Sequence, residues 1–265
     1  MCVQTADPRP RARPGPGPLD HPATPHRLEK PMNNAVRARQ RLLALVLPIT
    51  AALYIAAEGV NPKGTDQVIT TTATALKVLP IAARHSAQLY ISGSLTELAL
   101  GAVAVSYAAT AILVRRRAAT WATIAALIGG IGAFCGAVVN VLVGINVAAA
   151  ASSHLTHSAA AQFLVTSFKS GPGQGFLDFY GFGQVIAPIL MGVALWRSRT
   201  VPRWLAVLFL VGFEVAQQTP SVGIIEVLLL MAPFAVAMVL LAVRIWQTPA
   251  LPAVDDEELS PIALG

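Results

Sequence analysis

The sequence predicts an all-α fold, a bundle of helices that crosses a membrane several times. Apolar residues make up 55% of the 265 residues and charged residues only 12%, about half the share that is usual in a globular domain. No Asp, Glu, Lys or Arg occurs from residue 118 to residue 153. Runs of about 18 or more such residues are long enough to cross a bilayer as helices. A polytopic membrane protein is therefore the predicted class.

The positions of the basic residues and of the cysteines argue against a nucleic-acid-binding protein, a disulfide and a cysteine metal site. The net charge of +6 is spread over short junctions between apolar runs, whereas a nucleic-acid interface needs a basic patch with stacking aromatic residues. We expect no nucleic-acid partner, and the lipid bilayer is the predicted partner. Cys2 lies in a polar segment and Cys135 within an apolar run, so neither a disulfide nor a metal-ligand spacing is indicated.

The two ends of the chain are predicted to be disordered tails. Residues 1–40 are rich in Pro, Gly and Arg, a composition that buries too little apolar surface to order itself. Residues 1–31 fit either a translated tail or an over-extended reading frame upstream of a start at Met32. Residues 247–265 are acidic and are predicted to be disordered as well.

Six apolar segments between the tails are predicted to span the membrane. The fifth is framed by Pro202, which the first turn of a helix tolerates, and by Pro220, which ends it. The first two outer loops are each predicted to contain a short amphipathic helix, one capped by Thr65 or Asp66 and ended by Pro80, and one within residues 154–168. The six spans are residues 42–60, 89–114, 118–149, 175–196, 202–219 and 224–246.

The orientation follows from the basic residues, because cytoplasmic loops carry an excess of Lys and Arg. With the N-terminus inside and six crossings, fifteen of the nineteen basic residues fall on the cytoplasmic side. All four tryptophans lie within four residues of one of those arginines, as expected at the headgroup level. Both termini are therefore predicted to be cytoplasmic.

The region 40–246 resembles uncharacterised six-span bacterial integral membrane proteins. The resemblance is carried by Arg115, Arg116 and Arg117 at the second inner junction and by a third span that is rich in Gly and Ala. It implies six helices and a location in the bacterial plasma membrane. It implies no catalytic residue.

Four acids are predicted to lie at the outer edge of the hydrocarbon. Each is 17 to 19 residues from a cytoplasmic arginine, or about 27 Å of helix. At that depth a carboxylate can reach water, so the acids either mark the interface or line an outward-facing binding site. These four are Glu58, Glu97, Asp178 and Glu226.

Glu214 is the one acid that is predicted to lie deep in the membrane. It follows Arg203 by 11 residues, which is about 16 Å of helix. An ionised acid at that depth costs at least about 2.5 kcal/mol, so Glu214 is expected to face the bundle interior and either to be protonated or to pair with a donor. Asn140 and Gln184 are among the candidate partners at similar or shallower depth.

Asn140 also belongs to a pattern of small residues. Gly132, Gly136, Asn140 and Gly144 recur at intervals of four, so they share one face of the third span. Small residues at this spacing allow close helix packing. The alternative is that this face forms a polar groove towards Glu214.

Three histidines outside the spans are weak metal-ligand candidates. His154 and His157 are three residues apart, a spacing that places both rings on one face if the segment is helical. Together with His85 or a rim acid, they could bind zinc or another divalent metal. No other cofactor is indicated, because the chain has no P-loop, dinucleotide fingerprint or nucleophile elbow.

Three functional hypotheses remain. The first is the binding or transport of a cation, a proton or a small amine through Glu214 and the rim acids. The second is a membrane-embedded enzyme with a metal site on its outer face. The third is an accessory or structural membrane protein in which the acids only fix helix packing. The sequence leaves the oligomeric state open.

Overall fold

The residues that the computed structural model describes, 34–65, 69, 71–219 and 223–248, form seven α-helices and no strand. The all-α prediction is confirmed. Each predicted apolar segment is helical with shifted ends, and two of the segments belong to one long helix. The helices are α1 (Asn34–Val60), α2 (Thr72–Arg84), α3 (Ser86–Ser152), α4 (His157–Lys169), α5 (Gly171–Ser198), α6 (Arg203–Gln218) and α7 (Ile224–Gln247).

Helix α3 folds back on itself. Its 67 residues include one with non-helical backbone angles, Ala118 at φ −144° and ψ 39°. The side-chain amide of Asn140 donates to the carbonyl oxygen of Gly93 at 3.0 Å, although a straight helix would hold these residues about 70 Å apart. The two halves, residues 86–117 and 119–152, therefore pack antiparallel. The bend directly follows the three consecutive arginines, as the sequence predicted.

Four of the described helices, α1, α3, α5 and α7, are long and apolar enough to cross a membrane. Large apolar side chains also face outwards, for example Leu229, which is 72% exposed, and Phe134, which is 65% exposed. A soluble protein rarely exposes a contiguous apolar surface of this kind. The length and composition of these helices indicate a membrane protein.

The arginines of several helices lie at one end of the bundle. Thr50 bonds Ser106 and the Ser92 hydroxyl donates to the carbonyl of Ala57, so α1 runs antiparallel to the first half of α3. This pairing puts Arg41 of α1 at the level of the arginines that precede the α3 bend. We call this the arginine end, and the opposite end of the bundle the far end.

Contacts between helix ends stabilise the arginine end. The guanidinium of Arg41 lies 5.1 Å from the centre of the Trp246 ring, and that of Arg203 lies 5.2 Å from the Trp196 ring. The Gln40 amide donates to the carbonyls of Ile245 and Thr248 at 2.5 and 2.7 Å. The contacts of Arg41 and Gln40 tie the start of α1 to the end of α7, and the contact of Arg203 ties the start of α6 to the end of α5.

The two predicted short helices exist, but their limits differ from the prediction. Helix α2 is capped by the Thr71 side chain and includes Pro80, because Val78, Leu79 and Ala82 are buried and continue the packed face beyond the proline. Helix α4 is capped by Thr156. The two helices pack on each other and on the far end of α3 around a small separate core that includes Val147 and Leu164.

The limits of the predicted tails also change. Helix α1 begins at Asn34, so residues 34–40 are helical rather than disordered. Ala and Arg favour helix, and the Gln40 bonds described above hold this first part of the helix against α7. At the other end, α7 continues to Gln247. Residues 1–33 and 249–265, with the two remaining tail predictions and the proposed start at Met32, lie outside the described residues.

Candidate functional site

The four predicted rim acids do not form one site. Asp178 is exposed and accepts a bond from Gln174 at 2.7 Å, and Glu226 is exposed in the first turn of α7. Glu97 is half-buried on α3, and Glu58 is half-buried on α1. No three residues of the types His, Cys, Asp and Glu within the described ranges come close enough together to hold a metal ion. Only Glu58 lies near the polar interior described below.

The three histidines are exposed and are not arranged as predicted. His157 is the first residue of α4, whereas His154 precedes the helix in a bend. The helical segment begins only after the Thr156 cap, so the two rings do not share a helical face. His85 lies between α2 and α3. The part of the chain that is described thus offers no three-ligand zinc site.

The buried polar residues converge in the middle of the bundle instead. Tyrosines from α1, α3 and α5 and glutamines from α5 and α6 surround a small internal cavity. We call it the tyrosine cavity. It is lined by Tyr54, Leu100, Val103, Tyr107, Gly129, Ala133, Tyr180, Gly183, Gln184, Phe213 and Gln217.

The cavity is small. It offers about 10 Å³ to the centre of a water molecule, which is room for roughly one water. The Tyr107 ring packs against Phe213 with ring centres 5.7 Å apart, and the Tyr54 ring meets Phe234 edge-on at 6.0 Å. These aromatic contacts hold the rings of Tyr54 and Tyr107 in place at the cavity.

Glycines of α3 make room for the tyrosine rings. A side chain at Gly129 would meet the Tyr107 ring, and one at Gly136 would meet the Tyr180 ring. A Cβ at Gly132 would lie 2.8 Å from the Cα of Gly183 in α5. The predicted close packing along this stripe is therefore confirmed at Gly132 and Gly136. Its last member, Gly144, has open space beside it.

Asn140 does not contribute to a polar groove at Glu214. Its amide bonds the Gly93 carbonyl, as described above, and so joins the two halves of α3 near the far end. Gln184, the other predicted partner, does line the tyrosine cavity. Of these two candidate partners, Asn140 is a packing residue and Gln184 belongs to the interior site.

Four buried polar atoms in this part of the bundle have no hydrogen-bond partner among the described residues. They are the Tyr54 and Tyr107 hydroxyls, Gln184 Nε2 and Glu214 Oε1. Three of the four residues line the tyrosine cavity, and Glu214 follows Phe213, which also lines it. Most buried polar groups are paired, so four unpaired atoms in one place need an explanation.

Two carboxylates stand beside the tyrosines. Glu214 lies close enough to Tyr107 for the two groups to interact electrostatically. Glu58 has the same relation to Tyr54 and to Tyr180. By helix length, Tyr107 is about 12 Å and Glu58 about 26 Å from the arginine end. The polar groups thus follow the bundle axis from near the midplane to the far edge of the hydrocarbon.

The tyrosines are the residues that the sequence analysis missed. A signal was present, because Tyr54, Tyr107 and Tyr180 all lie within apolar segments. Tyrosine usually marks the headgroup level, and counting residues to the nearest arginine places Tyr107 well inside the hydrocarbon. That position is as unusual for a tyrosine as the position of Glu214 is for an acid.

The chain matches no protein family, no curated protein and no solved structure. The function must therefore be argued from the chemistry of the tyrosine cavity and its two neighbouring glutamates.

Proposed function

We propose that the chain crosses the membrane six times with both termini in the cytoplasm. The bend at Ala118 supports two crossings by α3, because 67 residues extend about 100 Å, more than three times the hydrocarbon thickness. Helix α6 has 16 residues, about 24 Å, and supplies the sixth crossing between α5 and α7. The arginine end would then be cytoplasmic by the excess of basic residues, with α2 and α4 outside. The bacterial plasma membrane is the proposed location.

Cysteine labelling tests this topology. In a background with Cys2 and Cys135 replaced by Ser, single cysteines at Lys63 and Lys169 should react with an impermeant thiol reagent added outside intact cells. Single cysteines at Arg116 and Arg199 should react only after the membrane is opened. Outside labelling of Arg116 or Arg199 contradicts the proposed orientation, and labelling of both sets contradicts the six crossings.

For the interior site, we propose that the protein binds a proton at Glu214 and carries protons across the membrane through the tyrosine cavity. The supporting observation is a set of four buried polar atoms without partners: three belong to residues that line the tyrosine cavity, and the fourth belongs to Glu214, next to the lining residue Phe213. Leaving a buried polar group unpaired costs about 1–3 kcal/mol. A proton on Glu214 together with one water would satisfy several of these atoms at once.

The size and chemistry of the cavity favour a proton over the other ligands that the sequence allowed. Room for roughly one water excludes an organic amine in this conformation. A hard metal cation needs several oxygen ligands, yet Gln184 Nε2 can only donate a hydrogen bond. A single water can accept from such a donor and donate to Glu214, which is the arrangement that a proton relay requires.

A flux measurement tests the proposal. The purified protein is reconstituted into vesicles that contain a pH-sensitive dye, and a potassium gradient with valinomycin sets the membrane potential. Wild type should acidify or alkalinise the lumen according to the sign of the potential. Glu214→Gln removes the proton-binding group and keeps its shape, so flux should fall by about 100-fold, the lower end of what a positioned proton-transferring group contributes.

Glu226→Gln is the matched control, since it makes the same change on the neighbouring helix at an exposed position. Its flux should equal that of wild type. Absence of flux in wild type, or an equal flux in Glu214→Gln, contradicts proton transport and leaves the structural role of the acids. Flux that is carried by sodium or potassium instead of protons would identify a different ion and overturn the proton assignment.

A further inference from the structure

A second and much larger cavity lies at the far end of the bundle. It is an open groove of about 470 Å³ between the second half of α3, helix α4 and the start of α5, a size typical of ligand sites. Val139 in its wall lies 21 residues beyond Ala118, about 31 Å of helix from the arginine end. The groove therefore begins where the hydrocarbon ends and the headgroups begin. It is lined by Val139, Leu142, Asn146, Phe163, Thr166, Ser167, Phe168, Ser170, Pro172 and Gly173.

The groove changes from apolar to polar along the bundle axis. On α3, Val139 and Leu142 come first, and Asn146 follows one turn farther from the arginine end. Phe163 and Leu142 expose 43% and 41% of their surface, so the apolar wall is open to a ligand. An amphipathic molecule with its apolar part towards the membrane centre fits this order.

The polar edge of the groove is also electropositive. Lys169 is exposed and lies in sequence between two lining residues, Phe168 and Ser170. Within the described ranges no carboxylate pairs with it. Ser170 precedes the first residue of α5, but its hydroxyl donates to the Ser167 carbonyl at 2.7 Å and does not cap the helix. The backbone N–H of Gly173 is therefore left at the positive end of α5, where anions are stabilised.

From these observations we infer that the groove binds one phospholipid with an anionic headgroup. The part of an acyl chain next to the glycerol lies against Val139, Leu142 and Phe163 at this boundary, and the phosphate lies at Lys169 and the start of α5. Phospholipid headgroups lie at this level of the bilayer, and the charge of Lys169 is complementary to that of an anionic headgroup. This inference rests on the membrane location of the chain and is independent of proton transport through the tyrosine cavity.

Native mass spectrometry of the full-length protein tests it, with dioleoylphosphatidylglycerol as the probe and dioleoylphosphatidylcholine as the uncharged comparison. Wild type should retain one phosphatidylglycerol at an activation energy that removes all other lipid. Leu142→Trp fills the groove and should lower that occupancy by about tenfold, which corresponds to about 1.4 kcal/mol. Phe163→Ala, which removes the opposite wall, should lower it as well.

The control is Leu229→Trp on α7, where the side chain is 72% exposed to the lipid-facing surface and lies outside the groove. It should retain phosphatidylglycerol like wild type. Lys169→Gln should lower the occupancy by phosphatidylglycerol to that by phosphatidylcholine. Equal retention by Leu142→Trp and Leu229→Trp overturns the groove as the site. No preference for phosphatidylglycerol, or displacement by millimolar inorganic phosphate alone, overturns the anionic lipid.

Discussion

The polar groups at the arginine end have interaction partners, whereas several polar groups around the tyrosine cavity do not. At the arginine end, Arg41 and Arg203 rest on tryptophan rings, and the Gln40 amide bonds two backbone carbonyls. In the cavity, the hydroxyls of Tyr54 and Tyr107 are buried without a partner. Both regions are polar and both join several helices, so polarity and helix packing do not separate them. The two regions differ in whether their polar groups have interaction partners.

This difference indicates which polar residues need a functional explanation. A group at the end of the bundle can always reach water, so its presence costs little and its contacts serve orientation and packing. A group in the interior has no such alternative, and a partly satisfied network there is unfavourable. A chain that keeps such a network in its interior is therefore expected to bind something there, and a proton with one water is the proposed occupant.

The largest effect is expected from a substitution at the close contact between α3 and α5, beside the tyrosine cavity. Gly132→Leu places a side chain where even a Cβ would lie 2.8 Å from the Gly183 backbone, and backbone cannot move aside as a side chain can. Helices α3 and α5 would separate, and overpacking of this kind costs about 1–3 kcal/mol or more. We expect a marked loss of monodisperse protein and a lower unfolding temperature in detergent.

Gly130→Leu is the control for that change, because it lies on the same helix with nothing within 4 Å of the added Cβ. It should fold like wild type. If both variants fold equally well, the close contact between α3 and α5 does not exist, and the cavity that depends on it is wrong as well.

The sequence was sufficient to predict the structural features that depend on a single segment of the chain. The bend beside the three arginines and the two short helices follow from hydrophobicity, from the positions of charged residues and from capping residues. The sequence was less informative where a site depends on several helices. The rim acids lie on different helices, and the exposure of Asp178 and Glu226 agrees with the alternative that they mark the interface. The position of a residue along its helix can be read from a sequence, whereas the arrangement of helices around the bundle cannot.

The same limit explains why the tyrosines were missed. The position of Tyr107 gave a signal, but a single tyrosine in an apolar segment packs readily, so neither Tyr107 nor Tyr54 or Tyr180 marks a site by itself. Their significance arises only when α1, α3 and α5 bring them around one space. Gly136 of α3 was identified for close packing, but the ring beside it is that of Tyr180 on α5, and Gly129, which faces the Tyr107 ring, was not identified.

A smaller effect is expected from two substitutions at adjacent levels along the bundle axis. They compare a buried hydroxyl that has hydrogen-bond partners with one that has none. Thr50→Val removes a buried hydroxyl that bonds Ser106 at 2.9 Å and the Val46 carbonyl at 2.8 Å. We expect it to lower the free energy of unfolding by about 1 kcal/mol, as for interhelical hydrogen bonds in membranes. Tyr107→Phe removes a hydroxyl without a protein partner and should leave stability unchanged or raise it.

Unfolding in a denaturing detergent measures both variants, and the flux assay measures the same proteins. Thr50→Val should retain proton flux, whereas Tyr107→Phe should reduce it because the relay loses one group. A Tyr107→Phe variant that is as destabilised as Thr50→Val and keeps full flux would show that the Tyr107 hydroxyl is an ordinary structural group.

The smallest effect is expected at the exposed acid on the helix that follows Glu214. Glu226 lies in the first turn of α7, with its carboxylate against Gly223, where the positive end of the helix favours a negative charge by about 0.3–1 kcal/mol. Because the side chain is exposed, Glu226→Gln should lower the free energy of unfolding only at the low end of that range. The loss should disappear at about 1 M salt, where charges are screened within roughly 3 Å. Glu214→Gln should show the reverse combination, with a large loss of flux and a stability change that is insensitive to salt, because the Oε1 atom of Glu214 is buried and buried charges are screened much less by salt. If Glu214→Gln responded to salt as Glu226→Gln does, Glu214 would be in contact with bulk water, and the distinction between the end and the interior of the bundle would fail at the residue on which the proposed function depends.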